Sequence, residues 1–366
     1  MGALAAFGAL LTGSVAGWSC SLFTSLDGFS NGSLPGDAAS VEAALDSGAD
    51  GPAATPKRWL VIVGGSGVET VASTWLAPIQ EDGQLGAWKA GPPLPSARTE
   101  VGVAAIAPNA IAAVGGRLAA TNGGTAEALV AKLEGDELGA WAVQAPMPRE
   151  IAQHNLVAVP GGVLSIAGFS SGIISDVYFG PVVDGSITTW TARPDTGLPR
   201  RALAGAALSG NILYVTGGID DKPMVDSRSA RFTGPGTYQA FTDVTNLPEG
   251  RAGLSLLASD RTLIVLGGVA LEPSVLTGIL PIGDDGNDVT SWAAAPSFET
   301  PRQTHAAANA PPFVYVLGGS DKNGVTLDDV QVARVSTSGT LGAWTKTTRL
   351  PSALKSMGAA VLTAPR

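Results

Sequence analysis

One cysteine, Cys20, and two histidines, His154 and His305, are all that this 366-residue chain holds of the residue types that build disulfide frameworks and soft-metal centres. A disulfide or a multi-Cys metal site needs more than one thiol, so both are excluded. Charged residues amount to 14 %, against about 25 % in an ordinary globular chain. No block of Lys or Arg occurs, and the formal charge is −9. Such a chain has no electrostatic footprint for a nucleic-acid backbone or an anionic membrane surface. No Ser-His-Asp order, phosphate loop or zinc spacing stands out, and no metal or cofactor is expected. What the chain has in quantity is glycine (48), proline (25) and small apolar residues, the composition of many short strands joined by tight turns.

Residues Ala3 to Gly17 form an apolar run of signal-peptide length, too short and Gly-rich for a membrane-spanning helix. Gly17-Trp18-Ser19-Cys20 follows and resembles a bacterial lipoprotein cleavage site. The resemblance implies that 1–19 are removed, that Cys20 is lipidated, and that Ser21 after it directs the chain to the outer membrane. Residues 20–57 are rich in Ser, Gly, Asp, Ala and Pro and read as a flexible tether. The folded domain is expected over 58–366.

Within that domain a period of about 50 residues appears, the length of a propeller blade. The segments LVIVGG, IAAVGG, LSIAGF, LYVTGG, LIVLGG and VYVLGG place a glycine at 64, 115, 168, 217, 267 and 318. Trp88, Trp141, Trp190, Phe241, Trp292 and Trp344 repeat the period in phase, each followed by a Pro-containing turn with a basic residue. This pattern resembles the kelch repeat family, whose members include the central domain of galactose oxidase. The resemblance covers Trp59 to Arg366 and implies an all-β, six-bladed propeller of four-stranded blades, with strands A to D running from the axis outward. The innermost A strands, such as Val101–Ala107 and Thr304–Ala310, are crowded with Ala and Gly, which suits six sheets converging on a narrow axis. The first strand is a B and the last, Met357–Thr363, is an A, so the two ends should complete one blade as a 3+1 closure and leave no open edge.

Several motifs invite chemistry. Glu81-Asp82-Gly83, Asp184-Gly185 and the stretch Asp284–Asp288 could be calcium loops, but each sits where strands C and D must turn, and Asp-Gly is a favoured hairpin turn. His154 and His305 lie three repeats apart and are expected to be structural or surface residues rather than metal ligands. Copper-radical oxidases share the kelch propeller but need a Tyr-Cys cross-link, and no Cys beyond Cys20 exists to make one.

Arg98, Arg149, Arg200 or Arg201, Arg251, Arg302 and Lys355 recur at the D-to-A junction, one per repeat. Two readings stand: a cationic ring at the channel mouth that grips carboxylates of a ligand, or a brace bonded to each blade's own carbonyls and acids. The ring reading makes Arg98, Arg149, Arg201, Arg251, Arg302 and Lys355 the ligand-binding residues. The expected function is an envelope-anchored, monomeric binding module that presents its loop face to a protein or carbohydrate. The alternatives are an enzyme on an anionic sugar, as in the periplasmic sialic-acid mutarotases that are also six-bladed propellers, and a purely structural envelope protein. Catalysis requires carboxylates beside the cations, and Glu100, Glu150, Glu249 and Glu299 are the candidates.

Overall fold

The computed structural model describes residues 56–365, apart from Asp195, 260–261, 270–278, 282–288 and 290. The signal segment, Cys20, the tether up to residue 55 and the acidic stretch Asp284–Asp288 lie outside the described residues. Among the described residues there is no helix; the domain is an all-β propeller.

Every B strand is apolar at consecutive positions because both its faces are buried. In Arg58–Val63, Leu60 and Ile62 pack with Tyr315 and Leu317 of the preceding repeat, whereas Trp59, Val61 and Val63 pack with Ile111, Ala113 and Leu129 of the next. Strand Ile212–Thr216 does the same, with Leu213 and Val215 turned to one neighbour and Ile212 and Tyr214 to the other. Six hydrophobic clusters lie between successive sheets in this way. Each is a sheet-on-sheet core of the kind that drives face-to-face packing.

Five sheets run through four strands from the axis outward, for example Gly102–Ala107, Ala110–Val114, Ala128–Glu134 and Ala142–Val143. The sheet built from Ala252–Ser259, Thr262–Val269 and Ile279–Pro281 has three. Among the described residues there are thus five four-stranded blades and a three-stranded sheet in place of the expected six complete blades. The shortfall falls where 282–288 and 290 lie outside the described residues. Strand Gly358–Thr363 pairs antiparallel with Arg58–Val63, placing Ala360 opposite Val61.

The periodic tryptophans stitch one sheet to the one before it. Trp141 donates to the Pro92 carbonyl at 3.1 Å, Trp190 to Ala145 at 2.9 Å, Trp292 to Thr245 at 3.0 Å and Trp344 to Pro296 at 2.9 Å. Trp88 donates to Thr348, 260 residues away, at 3.3 Å. The turn at Asp184-Gly185 is a hairpin: Asp184 and Gly185, at φ 51° and 70°, join Val183 to Ser186, as a two-residue turn with both central φ positive requires.

The diglycines are in the left-handed region, as at Gly318 and Gly319 (φ 53° and 91°). A Cβ on Gly318 would stand 2.3 Å from the Leu354 carbonyl oxygen. In the third repeat this pair is Ala167-Gly168 (φ 54° and 114°), which corrects the alignment of Gly168-Phe169 to the other diglycines by one residue.

Candidate functional site

The second residue of each pair ties its sheet to the next junction. Its amide donates to the carbonyl of Arg98, Ile151, Arg201, Arg251, Arg302 or Leu354, at 2.7 to 3.0 Å. These six residues are structurally equivalent, so the periodic basic slot holds four arginines and two aliphatic residues. Arg149 precedes the slot by two residues and Lys355 follows it by one. Neither belongs to the series in which the sequence placed it, because the Pro-containing turns differ in length.

The four slot arginines are buried: Arg98, Arg201 and Arg251 at 0 % exposure and Arg302 at 3 %. Each Nη1 donates to the carbonyl of the first glycine of its own repeat, Gly115, Gly217, Gly267 or Gly318, at 3.0 to 3.3 Å. Three also meet a carboxylate opening strand C: Arg98 with Glu127, Arg201 with Asp226, and Arg302 with Asp329 at 2.9 Å. Arg251 pairs with Glu249, and the residue that opens its strand C lies outside the described residues. Burial lowers the pKa of Arg201 and Arg251. Burial also pushes the carboxyls of Asp226 and Asp329 up, but their arginine partners outweigh it and hold both below the usual carboxylate range. These guanidinium groups are braces within the blade and show no surface to a ligand, which corrects the picture of a cationic ring. Arg149 is part-exposed and pairs with Asp176 at 2.7 Å. Lys355 bonds through its backbone to Ser66.

The mouth of the central channel is built by another set. Glu100, Gln153, Leu203, Gly253, Thr304 and Ser356, two residues beyond the slot, all have φ between 49° and 67°. Each amide donates to the carbonyl of the preceding member, Glu100 to Ser356 at 2.8 Å, Gln153 to Glu100 at 3.2 Å and so on, until Ser356 reaches Thr304 at 2.7 Å. The six bonds close a ring about the axis. Five of its members are not glycine, and such backbone costs on the order of 1–3 kcal/mol per residue, a strain that clusters at functional sites.

Around this ring lies a second, made by the residue after each glycine pair: Ser66, Arg117, Phe169, Ile219, Val269 and Ser320. Its charge is confined to one sector. Arg117 donates from Nε to Glu100 at 3.2 Å and from Nη1 to the Asn122 carbonyl at 3.1 Å, and its guanidinium lies 5.7 Å from the centre of the Phe169 ring. Gln153 donates to the other Glu100 oxygen at 2.9 Å. A cavity of about 490 Å³ beside this cluster is lined by Arg117, Arg149, Glu150, Phe169 and Ser170 among others. A carboxylate, a guanidinium, an amide and an aromatic face thus converge where solvent reaches them, which suits a ligand with hydrogen-bonding groups beside an apolar face.

Of the four candidate carboxylates, Glu100 lines the channel and Glu150 the neighbouring cavity. Glu249 is taken by Arg251, and Glu299 pairs with Lys346 at 2.5 Å. Arg117, Gln153 and Phe169 are site residues that periodicity passed over. The one signal was at Arg117, a guanidinium standing where the other copies carry Ser66, Phe169, Ile219, Val269 or Ser320.

His154 and His305 are buried directly after ring members. His154 bonds Ser165 at 2.7 Å and the Val114 carbonyl at 3.0 Å, whereas neither ring nitrogen of His305 has a hydrogen-bond partner. Desolvation lowers the first to about 4 and, with help from Arg302, the second to about 3.

No protein-family model matches the chain, and no curated protein does. Among solved structures it is similar to that of YjhT, with a TM-score of 0.61 at 13 % identity, over 78 % of this chain and 97 % of that one. At that identity the likeness concerns the fold.

Proposed function

We propose that this protein is a ligand-binding module: a six-bladed propeller of kelch type, closed 3+1, held at the cell envelope through Cys20, that binds a small molecule or a peptide at the mouth of its channel. The observation that carries the proposal is the Glu100, Arg117 and Gln153 cluster, seated on strained backbone beside Phe169. For the blade count, the closed ring of six backbone bonds speaks in its favour. For the closure, the pairing of the last strand with the first does.

Binding is preferred to catalysis on an anionic sugar because a general acid or base has to reach the substrate proton it transfers, and both oxygens of Glu100 are engaged within the protein. Of the four candidate carboxylates, Glu100 alone lines the channel, and it is bonded to Arg117 and Gln153.

The test is a calorimetric screen of neutral sugars, acidic sugars and short peptides against the full chain, repeated with Arg117→Ala and Glu100→Gln. A ligand that weakens tenfold or more in either variant supports the mouth as the site. Ligands bound equally by wild type and both variants would retire it.

A further inference from the structure

The walls of the cavity beside the mouth converge from three stretches of chain. Arg117 bridges Gly124 across the loop that follows the second glycine pair, and Thr125 bridges Ile151. A Cβ on Gly124 would stand 3.3 Å from that of Glu150. Phe169 in turn bridges Ala152. Backbone pairing therefore carries Arg117, Arg149, Glu150 and Phe169 to one space of about 490 Å³, within the size range of small-molecule sites.

The charges on these walls are unequally spent. Arg117 gives Nε to Glu100 and Nη1 to the Asn122 carbonyl, and Arg149 gives Nη1 to Asp176. Asp176 is itself shared with Tyr178, whose hydroxyl donates to the same oxygen at 2.8 Å. A guanidinium has more N–H donors than either arginine spends in this way, so both bring donors to the cavity they line. Glu150 is exposed and, among the described residues, enters no hydrogen bond or ion pair. Two guanidinium groups with donors to spare and a carboxylate with no partner thus line one space, together with an aromatic ring.

We infer that the cavity takes a free α-amino acid with an apolar side chain: its carboxylate lies between Arg117 and Arg149, its ammonium against Glu150, and its side chain along Phe169. The inference rests on the mouth being the site of binding and names the class of ligand. A guanidinium matches a carboxylate through paired N–H donors. A carboxylate alone would leave Glu150 unpaired and be repelled by it, and an amine alone would leave the arginine donors unused and be repelled by them. An α-amino acid carries both charges on a single carbon, so one small molecule answers both; the interior of a peptide offers neither.

The experiment titrates L-phenylalanine and L-leucine calorimetrically into the full chain near neutral pH, beside 3-phenylpropanoate, 2-phenylethylamine and N-acetyl-L-phenylalanine, each of which lacks one charge. L-Phenylalanine should bind about tenfold or more tightly than the three analogues, as the loss of one charge-assisted hydrogen bond implies. Glu150→Gln should weaken L-phenylalanine by a similar factor and leave 3-phenylpropanoate, which has no ammonium to lose, unweakened. Arg149→Ala should weaken both. Glu150 is exposed and Arg149 part-exposed, so both variants should fold, as circular dichroism checks.

No binding of either amino acid, analogues that bind as tightly as L-phenylalanine, or a folded Glu150→Gln variant with wild-type affinity would each overturn the amino-acid inference. If a ligand from the sugar and peptide screen then still depends on Arg117 or Glu100, the mouth reading survives without it. Amino-acid binding that needs Glu150 and Arg149 but is indifferent to Arg117→Ala and Glu100→Gln would uphold the amino-acid cavity and remove the Glu100 cluster from the site.

Discussion

Arg302 and Gly318 lie sixteen residues apart and meet across one blade, the guanidinium donating to the glycine carbonyl at 3.0 Å. The same bond joins Arg201 to Gly217 and Arg251 to Gly267 at that spacing, and Arg98 to Gly115 at seventeen residues. Two of the six slots have abandoned it for Ile151 and Leu354, both buried. With Leu354 the carboxylate has gone too: the residue opening strand C of that sheet is Ser73, whose carbonyl accepts from Gly64 as that of Asp226 does from Gly217. A buried ion pair and an apolar filling are thus alternative solutions to one packing problem.

Arg201→Ala should therefore be destabilising, because it removes the donor to the Gly217 carbonyl and one of the two arginines that hold Asp226, the other being Arg228. A loss of about 3 kcal/mol is expected from urea titration. Arg201→Leu combined with Asp226→Ser copies the solution already present at Leu354 and Ser73 and should recover a large part of it.

Truncation after Pro351 should unfold the domain. It removes Gly358–Thr363, which pairs along the whole of Arg58–Val63, and exposes a B strand whose faces are apolar. A truncated chain with the wild-type melting temperature would contradict this.

Stability should fall on acidification through the histidines. Both are held neutral by burial, and the folded values of about 4 for His154 and about 3 for His305 lie below the ordinary 6.5. From pH 6.5 down towards those values only the unfolded chain takes up the protons. Each histidine then costs about 1.4 kcal/mol per pH unit, and its contribution is fully present above pH 6.5. His305 packs against Phe298, and the charge of nearby Arg302 disfavours its protonation further. His305→Leu should accordingly flatten the pH dependence of the urea midpoint between pH 6 and 4.

Gly318→Ala and Gly324→Ala form a matched pair. Both glycines have positive φ, but only at Gly318 does a Cβ meet backbone, the Leu354 carbonyl at 2.3 Å; at Gly324 nothing lies within 4 Å. Gly324→Ala should cost ~1 kcal/mol, the left-handed penalty alone. Gly318→Ala should cost several times that or prevent folding, as thermal denaturation will show.

The repeat, the strands and their order from the axis were legible in the chain because a period imposed on sequence reports one packing environment met again and again. Ala- and Gly-rich segments suit the narrow axis, and the apolar runs ending in glycine mark the strands beside them. The basic residues were legible as a series but misplaced at Arg149 and Lys355, since turns of unequal length shift a one-dimensional alignment that hydrogen bonding keeps in register. Whether a recurring arginine faces a ligand or a carbonyl is invisible at that level, because both uses call for the same donors.

The mouth cluster was less legible still. Glu100 was a candidate for its charge, whereas Arg117, Gln153 and Phe169 belong to repeats whose other copies hold unlike residues at the same places. What the amino-acid sequence determined alone is the periodic frame, because burial and turn chemistry act over a few neighbouring residues. Which side chains share a site was decided by the tertiary structure: it brings Glu100, Arg117 and Gln153 within hydrogen-bonding distance across up to 53 residues of chain.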